Sequence, residues 1–240
     1  MADADSQRPQ TSSTWASIGS NFSSGIGNVP QSWLALKEEA TVNNALIIFL
    51  QGIASFNMGG QGQWLIYRQP FDVRDGDGNP VFRACVDGIY EVTRDVNIVV
   101  DGVVDTIVDK LTEAIVEVKP IKRDQDSANR IAMQECAQLS AWISQTPPEQ
   151  KVPIYLDHDY RRVLISQDRD ELYVTVATFS EKYINYIRDR TTDREQRADR
   201  KDDTGFLRVQ CQGPYHLSNP RHMEEFGKQM TSFCQQGRIR

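Results

Sequence analysis

The chain has 240 residues, of which 25% are charged and 39% hydrophobic, proportions typical of a globular protein with one sizeable core. Its 33 acidic against 27 basic residues give a net charge of −6, which argues against nonspecific coating of nucleic acid, because such binding depends on lysine and arginine. The first residues contain no apolar signal-peptide core, and no apolar run has the length of a membrane span. We therefore expect an intracellular protein, in the nucleus or cytoplasm, with no membrane partner.

Residues 1–29 are rich in Ser, Thr, Asn, Gly and Gln without an apolar period, which predicts a flexible tail before one domain at 30–240. From Pro30 to about Ser55 apolar residues recur at helical spacing, and the pattern breaks near Thr41–Asn44. This segment is either one broken helix or two short ones. A first strand is predicted at Trp64–Arg68, followed by a hairpin turn at Asp75–Pro80, whose spacing does not fit a calcium loop.

The next segments predict a second strand and a region of undecided structure. Phe82–Val92 has the composition of a strand. In residues 95–113 the apolar positions fit a helix face, whereas the β-branched content favours strands. Both an elaborated hairpin and a short inserted helix remain compatible with this sequence.

A short apolar run, Ala114–Lys119, contains one carboxylate and one amine, and Pro120 ends it. Strand alternation places Ile115, Glu117 and Lys119 on one face of the strand. A pair of this kind is common as a solvated surface pair. A carboxylate and an ammonium so placed can also serve a divalent cation and an attacking water together, provided that a further acid joins them.

The second half of the chain alternates helices and strands. A helix is expected from about Asp126 to Ser144, with Gln134 and Gln138 one turn apart on the same face. A hairpin at 163–177, a last strand at 206–211 and a closing amphipathic helix at 222–235 follow. The four cysteines form no Cys-x-x-Cys pair and are expected to be reduced and mostly buried.

The order of these features resembles the PD-(D/E)XK nuclease superfamily, which has the restriction-endonuclease-like fold. The features are a strand containing Asp87, a strand carrying Glu-x-Lys, and a helix with an early glutamine. Val-Glu-Val-Lys-Pro at 116–120, Gln-Glu-x-x-Gln-x-x-x-Trp at 134–142 and Gly-Pro-Tyr-His at 213–216 are also similar to the nuclease-like domains of this type in filamentous fungi. The resemblance spans roughly residues 30–235, and Val86 stands where the motif's name has proline.

This resemblance implies an α/β fold with an αβββαβ core, in which helices flank a central mixed sheet. It implies hydrolysis of DNA phosphodiester bonds with Mg²⁺ or Mn²⁺ as cofactor. Asp87, Glu117 and the carbonyl of Val118 would hold the metal ion, and Lys119 would orient or deprotonate the attacking water. Gln134 would hydrogen-bond a metal-bound water or the scissile phosphate.

Several alternatives stay open at this point. The long gap between the two acids leaves Asp101 or Asp105 as the partner acid, and the leading helix offers Glu38 or Glu39 as a further ligand. The acidic net charge fits a nuclease only if basic residues line one cleft. It also fits a noncatalytic nuclease-like module that binds a protein or nucleic acid, and an interaction protein of unrelated fold is the third alternative.

Overall fold

The computed structural model is an α/β protein, and it describes residues 31–56, 62–75, 77–100, 103–124, 126–148, 159–188 and 205–236. The predicted tail, residues 1–29, lies outside these ranges. The elements in chain order are α1 (Gln31–Phe56), β1 (Gly62–Leu65), β2 (Gln69–Arg74), β3 (Pro80–Val86), β4 (Gly88–Val100), β5 (Val103–Lys119), α2 (Ala128–Gln145), β6 (Tyr160–Asp168), β7 (Glu171–Phe179), α3 (Glu181–Arg188), β8 (Arg208–His216) and α4 (Pro220–Gln236).

A mixed six-stranded sheet with the strand order β1-β4-β5-β6-β7-β8 forms the centre of the fold. Neighbouring strands are antiparallel except for β5 and β6, which are parallel. A parallel pair needs a long crossover connection, and α2 lies in the segment that joins these two strands. The strands β2 and β3 form a separate hairpin. The expected α/β class with a central mixed sheet and helices is therefore confirmed.

Both faces of the sheet are apolar, because helices cover each of them. One face packs against α1 and α4, and its core comprises Leu46, Ile47, Leu50, Ala114, Val116, Val118, Ile165, Leu172, Val174, Tyr215, Phe226 and Met230, among others. The other face packs against α2 and the β2–β3 hairpin, with Phe71, Val73, Val86, Ile89, Ile115, Leu139, Ala141, Trp142, Leu164 and Ala177. Among the described helices, none has a stretch long and apolar enough to cross a bilayer.

The undecided region at 95–113 belongs to one long antiparallel hairpin, β4–β5, so β-branched composition overrides the helical spacing there. Residues 93–100 pair with 103–110 beyond the ends of β1 and β6, and we call this two-stranded extension the arm. The register shifts at the base of the arm. Tyr90 opposes Ala114 whereas Glu91 opposes Thr112, so Glu113 is an extra residue in β5, as in a β-bulge.

Three predictions from local pattern need correction. The single strand expected at Phe82–Val92 is two strands, because the chain leaves β3 at Val86 and enters the central sheet at Gly88. The helix expected to break near Thr41–Asn44 is continuous from Gln31 to Phe56. The cysteines are unpaired, as expected, but they are not mostly buried, because Cys85 and Cys211 are exposed.

Other local predictions are confirmed. The turn at Asp75 closes the β2–β3 hairpin, and the Asp75 carboxylate accepts hydrogen bonds from the backbone N–H groups of Asp77 and Asn79. The helix predicted from about Asp126, the hairpin after it, the last strand and the closing helix are all present, with boundaries shifted by a few residues.

Candidate functional site

The carboxyl end of β5 carries the acid and the amine on one face. Ala114, Val116 and Val118 pack in the core under α1 and α4, whereas Ile115 packs on the opposite face under α2. Glu117 lies on the α2 side, and its carboxylate contacts the ammonium group of Lys119. The alternation predicted from the sequence is therefore present. The Glu117 side chain is only 3% exposed, so the pair is not the solvated surface pair considered above.

Asp87 lies at the break between β3 and β4 and is joined to β5 by two hydrogen bonds. Its backbone N–H donates to the carbonyl of Val116 over 2.9 Å, and its carboxylate Oδ2 accepts the backbone N–H of Val118 over 3.0 Å. The Asn43 amide Nδ2 on α1 donates to the Asp87 carbonyl over 2.9 Å. The polar residue that interrupts the apolar pattern of α1 thus has a structural partner at this site.

Two glutamines of α2 donate hydrogen bonds to the Glu117 carboxylate on the face of the sheet that α2 covers. The Gln134 Nε2 donates to Oε1 over 2.6 Å, and the Gln138 Nε2 donates to Oε2 over 2.6 Å. Gln138 also donates to the carbonyl of Cys85 over 2.8 Å. Because residues four apart share a helix face, one helix supplies both amides. These bonds fix the orientation of the acid.

The electrostatics of this pair of acids are unbalanced. The pKa of Glu117 is raised to about 7, because burial and, to a lesser extent, the negative charge of Asp87 outweigh the opposing effect of Lys119. The site therefore places two carboxylates together with less positive charge than both need when ionised. A divalent cation would supply that charge, and carboxylate and carbonyl oxygens are the donors that Mg²⁺ prefers.

The donor set is small. In the described ranges, no group of three or more His, Cys, Asp or Glu side chains is arranged to hold a metal ion. The predicted set consists of two carboxylates and the Val118 carbonyl, so water or substrate would have to supply the remaining ligands. Mg²⁺ commonly keeps several waters in protein sites, and these oxygen donors are compatible with that mode of binding.

Close packing of the backbone keeps Asp87 next to the end of β1. A Cβ atom on Gly88 would lie 2.8 Å from the Ile47 side chain and 3.0 Å from the Leu65 carbonyl oxygen. Glycine therefore allows α1 and β1 to approach the strand break. Arg68, just beyond β1, places its Nε 3.9 Å from the Asp87 Oδ1.

The structure thus brings together Asp87, Glu117, Lys119 and Gln134, with the Val118 backbone between the acid and the amine. The alternative acids do not join them in the described part of the chain. Asp105 pairs with Ile98 in the arm, twelve positions before Glu117 along β5, which is about 40 Å at the usual strand rise. Asp101 and the side chain of Glu38 lie outside the described residues. Glu39 is half-buried on α1 and makes no described contact with the two acids.

A second polar cluster lies on the neighbouring strand, and the sequence analysis did not find it. The Arg123 guanidinium donates to Asp168 over 2.5 Å, to the Ser166 hydroxyl over 2.7 Å and to both carboxylate oxygens of Glu135. It also stacks 4.1 Å above the Tyr173 ring. Ser166 and Asp168 are the β6 partners of Glu117 and Lys119, so this Arg123 cluster adjoins the two-acid site.

The charges of the Arg123 cluster depend on one another. Burial opposes the charge of Arg123, but the hydrogen bonds and charges of Glu135 and Asp168 prevail and raise its pKa. Burial raises the pKa of Asp168, and Arg123 opposes that shift. No sequence motif marks these residues, because the partners are far apart along the chain, as Arg123 and Asp168 are at a separation of 45 positions. The helical spacing of Gln134 and Gln138, in contrast, was a usable signal for the second amide.

Comparison with known proteins adds no relative to this description. No family model, no curated protein and no solved structure matches the chain. The fold and the geometry of the site are therefore the basis for a functional assignment.

Proposed function

We propose that the chain is a phosphodiesterase that hydrolyses DNA with Mg²⁺ or Mn²⁺ at a PD-(D/E)XK-type site. One observation carries this proposal. The Asp87 carboxylate is hydrogen-bonded to the backbone N–H of Val118, which lies between Glu117 and Lys119. A strand break thus sets a second acid against the Glu-x-Lys strand, as the resemblance implies.

The order of the elements supports the finer fold proposal. Leaving out the β2–β3 hairpin, the elements α1, β1, β4, β5, α2 and β6 follow the order αβββαβ. The first three strands are antiparallel neighbours in the order β1-β4-β5, and β6 returns parallel to β5 after α2. On this view the β2–β3 hairpin is an insertion between the first and second core strands, and its apolar side chains pack against α2.

The proposed metal ligands are Asp87, Glu117 and the Val118 carbonyl. When bound, the ion would polarise the phosphate and lower the pKa of a coordinated water. The chain itself orients the acids, because Gln134 and Gln138 hold the Glu117 carboxylate and Val118 holds that of Asp87.

In this proposal Lys119 acts on the attacking water. Its side chain is partly exposed, and its ammonium contacts Glu117 rather than lying in the apolar core. An ammonium in this position can orient an attacking water by donating a hydrogen bond to it, whereas only the neutral amine form of the lysine can take the proton of that water. The carboxylate contact fixes the location of the nitrogen.

The second candidate is the noncatalytic nuclease-like module. The observation that favours it is that both oxygens of Glu117 already accept side-chain hydrogen bonds, from Lys119, Gln134 and Gln138. An acid bound in this way anchors α2 on the sheet without any need for a metal ion. The two candidates differ in one measurable property, since the module needs no divalent ion.

The test is incubation of plasmid and single-stranded DNA with purified protein across a series of divalent ions, with metal affinity measured by calorimetry. We expect cleavage only with Mg²⁺ or Mn²⁺. Lys119→Met should abolish turnover and leave metal binding largely intact, because the lysine acts on water. Glu117→Gln should weaken both, because the ion loses a charged ligand.

Lys110→Met and Glu224→Gln are the matched controls. Both residues are exposed, and their ion pairs, with Glu91 and Lys228, lie in other elements. They should keep wild-type cleavage. Absence of ion-dependent cleavage together with absence of heat on addition of Mg²⁺ or Mn²⁺ would reject the phosphodiesterase in favour of the noncatalytic module.

A further inference from the structure

The segment Ile66–Arg68 borders Asp87 and presents three consecutive large side chains to solvent. β1 ends at Leu65, which opposes Ile89 in an antiparallel ladder, so the following residues run past the strand break at Asp87. Ile66, Tyr67 and Arg68 are exposed by 53%, 54% and 75%. An apolar, an aromatic and a cationic side chain are therefore exposed in consecutive positions, and the last of them, Arg68, contacts Asp87.

Arg68 is available to an anionic ligand. Its Nε lies 3.9 Å from Asp87, at the outer limit of an ion pair, and an exposed pair of this length contributes little. The planar guanidinium matches the oxygens of a phosphate better than a single lysine ammonium does. On the helix side, Arg130 is exposed one turn before Gln134 and on the same face of α2. One positive group thus contacts Asp87, and a second lies one helical turn from the glutamine that binds Glu117.

Tyr67 adds an aromatic surface next to this cation. A base can stack on an exposed aromatic ring only when it is not enclosed in a duplex, and such stacking is tolerant of sequence. An arginine for the phosphate followed by a ring for the base is the chemistry of a single-strand binding surface. The overall charge of −6 agrees with a short, local contact rather than a long basic duplex channel.

We propose that Ile66–Arg68 is a binding strip for unpaired nucleotides, which selects DNA with a single-stranded region next to the scissile phosphate. This inference rests on the proposed function, since it assigns a substrate class to the same site. Arg68 holds a backbone phosphate beside Asp87, Tyr67 stacks on the adjoining base, and Ile66 covers the edge of that base.

The experiment measures binding separately from cleavage. Fluorescence anisotropy with a short labelled single strand and its matched duplex is recorded in EDTA, so that no turnover occurs. We expect the wild type to prefer the single strand. Tyr67→Ala should weaken single-strand binding by roughly tenfold or more and change duplex binding little. Tyr67→Phe should keep the preference, because the ring remains.

Arg68→Gln should weaken binding to both forms of DNA, because both present phosphates. The slope of log affinity against log salt for the single strand should fall by about 0.7, the value expected for one lost phosphate contact. Tyr186→Ala is the control for Tyr67, since it is exposed to a similar extent, 52%, on α3. Arg221→Gln on α4 is the control for Arg68.

The inference is overturned if Tyr67→Ala leaves the single-strand preference unchanged, or if it weakens single-strand and duplex binding equally. Failure of the proposed function looks different. Absence of cleavage with every divalent ion, combined with a preference for single strands that depends on Tyr67, would reject the activity and support the binding strip. Ion-dependent cleavage, combined with a single-strand preference that is the same in wild type and Tyr67→Ala, would support the activity and reject the binding strip.

Discussion

Replacing Arg123 with methionine should destabilise the fold strongly. The variant leaves Glu135 and Asp168, whose side chains are 4% and 0% exposed, without the cation that neutralises them. Removing one partner of a buried ion pair typically costs about 3–5 kcal/mol, because the remaining charge stays buried without compensation. At about 2–4 °C per kcal/mol for a domain of this size, the Tm should fall by about 6–20 °C.

The assay is urea unfolding, with the free energy of unfolding compared across three variants. The triple variant Arg123→Met, Glu135→Gln, Asp168→Asn removes all three charges and should recover most of the loss, because no unpaired charge remains. The control is Arg83→Met. Arg83 makes a similar two-point contact with Asp72 but is 62% exposed, so its replacement should change stability little.

Two results would refute this reasoning. If Arg123→Met lowered the free energy of unfolding by less than about 1 kcal/mol, the cluster would contribute no more than an exposed ion pair does. A triple variant as unstable as the single one would show that the loss comes from packing on Tyr173 rather than from the two carboxylates.

Two further predictions concern the two-acid site. Because the pKa of Glu117 is raised to about 7, the folded state retains a proton that the unfolded chain releases near pH 4.5, so stability should fall as the pH rises between these values. At about 1.4 kcal/mol per pKa unit, the loss of unfolding free energy is about 3 kcal/mol. Glu117→Gln should abolish this loss when urea unfolding is compared at about pH 5 and pH 8. An equal pH dependence of the unfolding free energy in wild type and variant would contradict the assignment. Gly88→Ala should lower the free energy of unfolding by about 1–3 kcal/mol, because the new Cβ would crowd Ile47 and the Leu65 carbonyl. Gly52→Ala in α1, where a Cβ meets nothing within 4 Å, should instead stabilise by up to about 1 kcal/mol, and equal effects at the two glycines would count against the packing argument.

Local pattern predicted the parts of the molecule in which one interaction dominates. Alternation along β5 placed Glu117 and Lys119 on one side, because a buried strand leaves no freedom in the direction of its side chains. The same reasoning failed at Phe82–Val92, since a continuous β-prone run does not reveal that the chain changes sheets at Asp87. The Arg123 cluster was invisible because its partners meet only after β6 pairs with β5.

Propensity also failed where a tertiary contact decides the structure. The polar residues at Thr41–Asn44 suggested an interrupted helix, yet α1 continues through them, and the Asn43 side chain donates a hydrogen bond to the Asp87 carbonyl. The apolar spacing at 95–113 fitted a helix, but strand pairing along the arm satisfies the backbone groups that face the partner strand instead.

The β-bulge at Glu113, at the base of the arm, keeps the acid and the amine on the α2 side of the sheet. Side chains alternate with a period of two. If Glu113 instead paired regularly with Tyr90, with the arm paired as before, every later residue of β5 would change face and Glu117 would point toward α1 and α4 instead of α2. The length of the arm at its tip is not under this constraint. Cross-strand pairs can be added or removed there, one residue on each strand, without changing the side on which Glu117 emerges. The chain can therefore vary in length at the tip in steps of two, while a single inserted residue in either strand requires a second bulge to compensate for it.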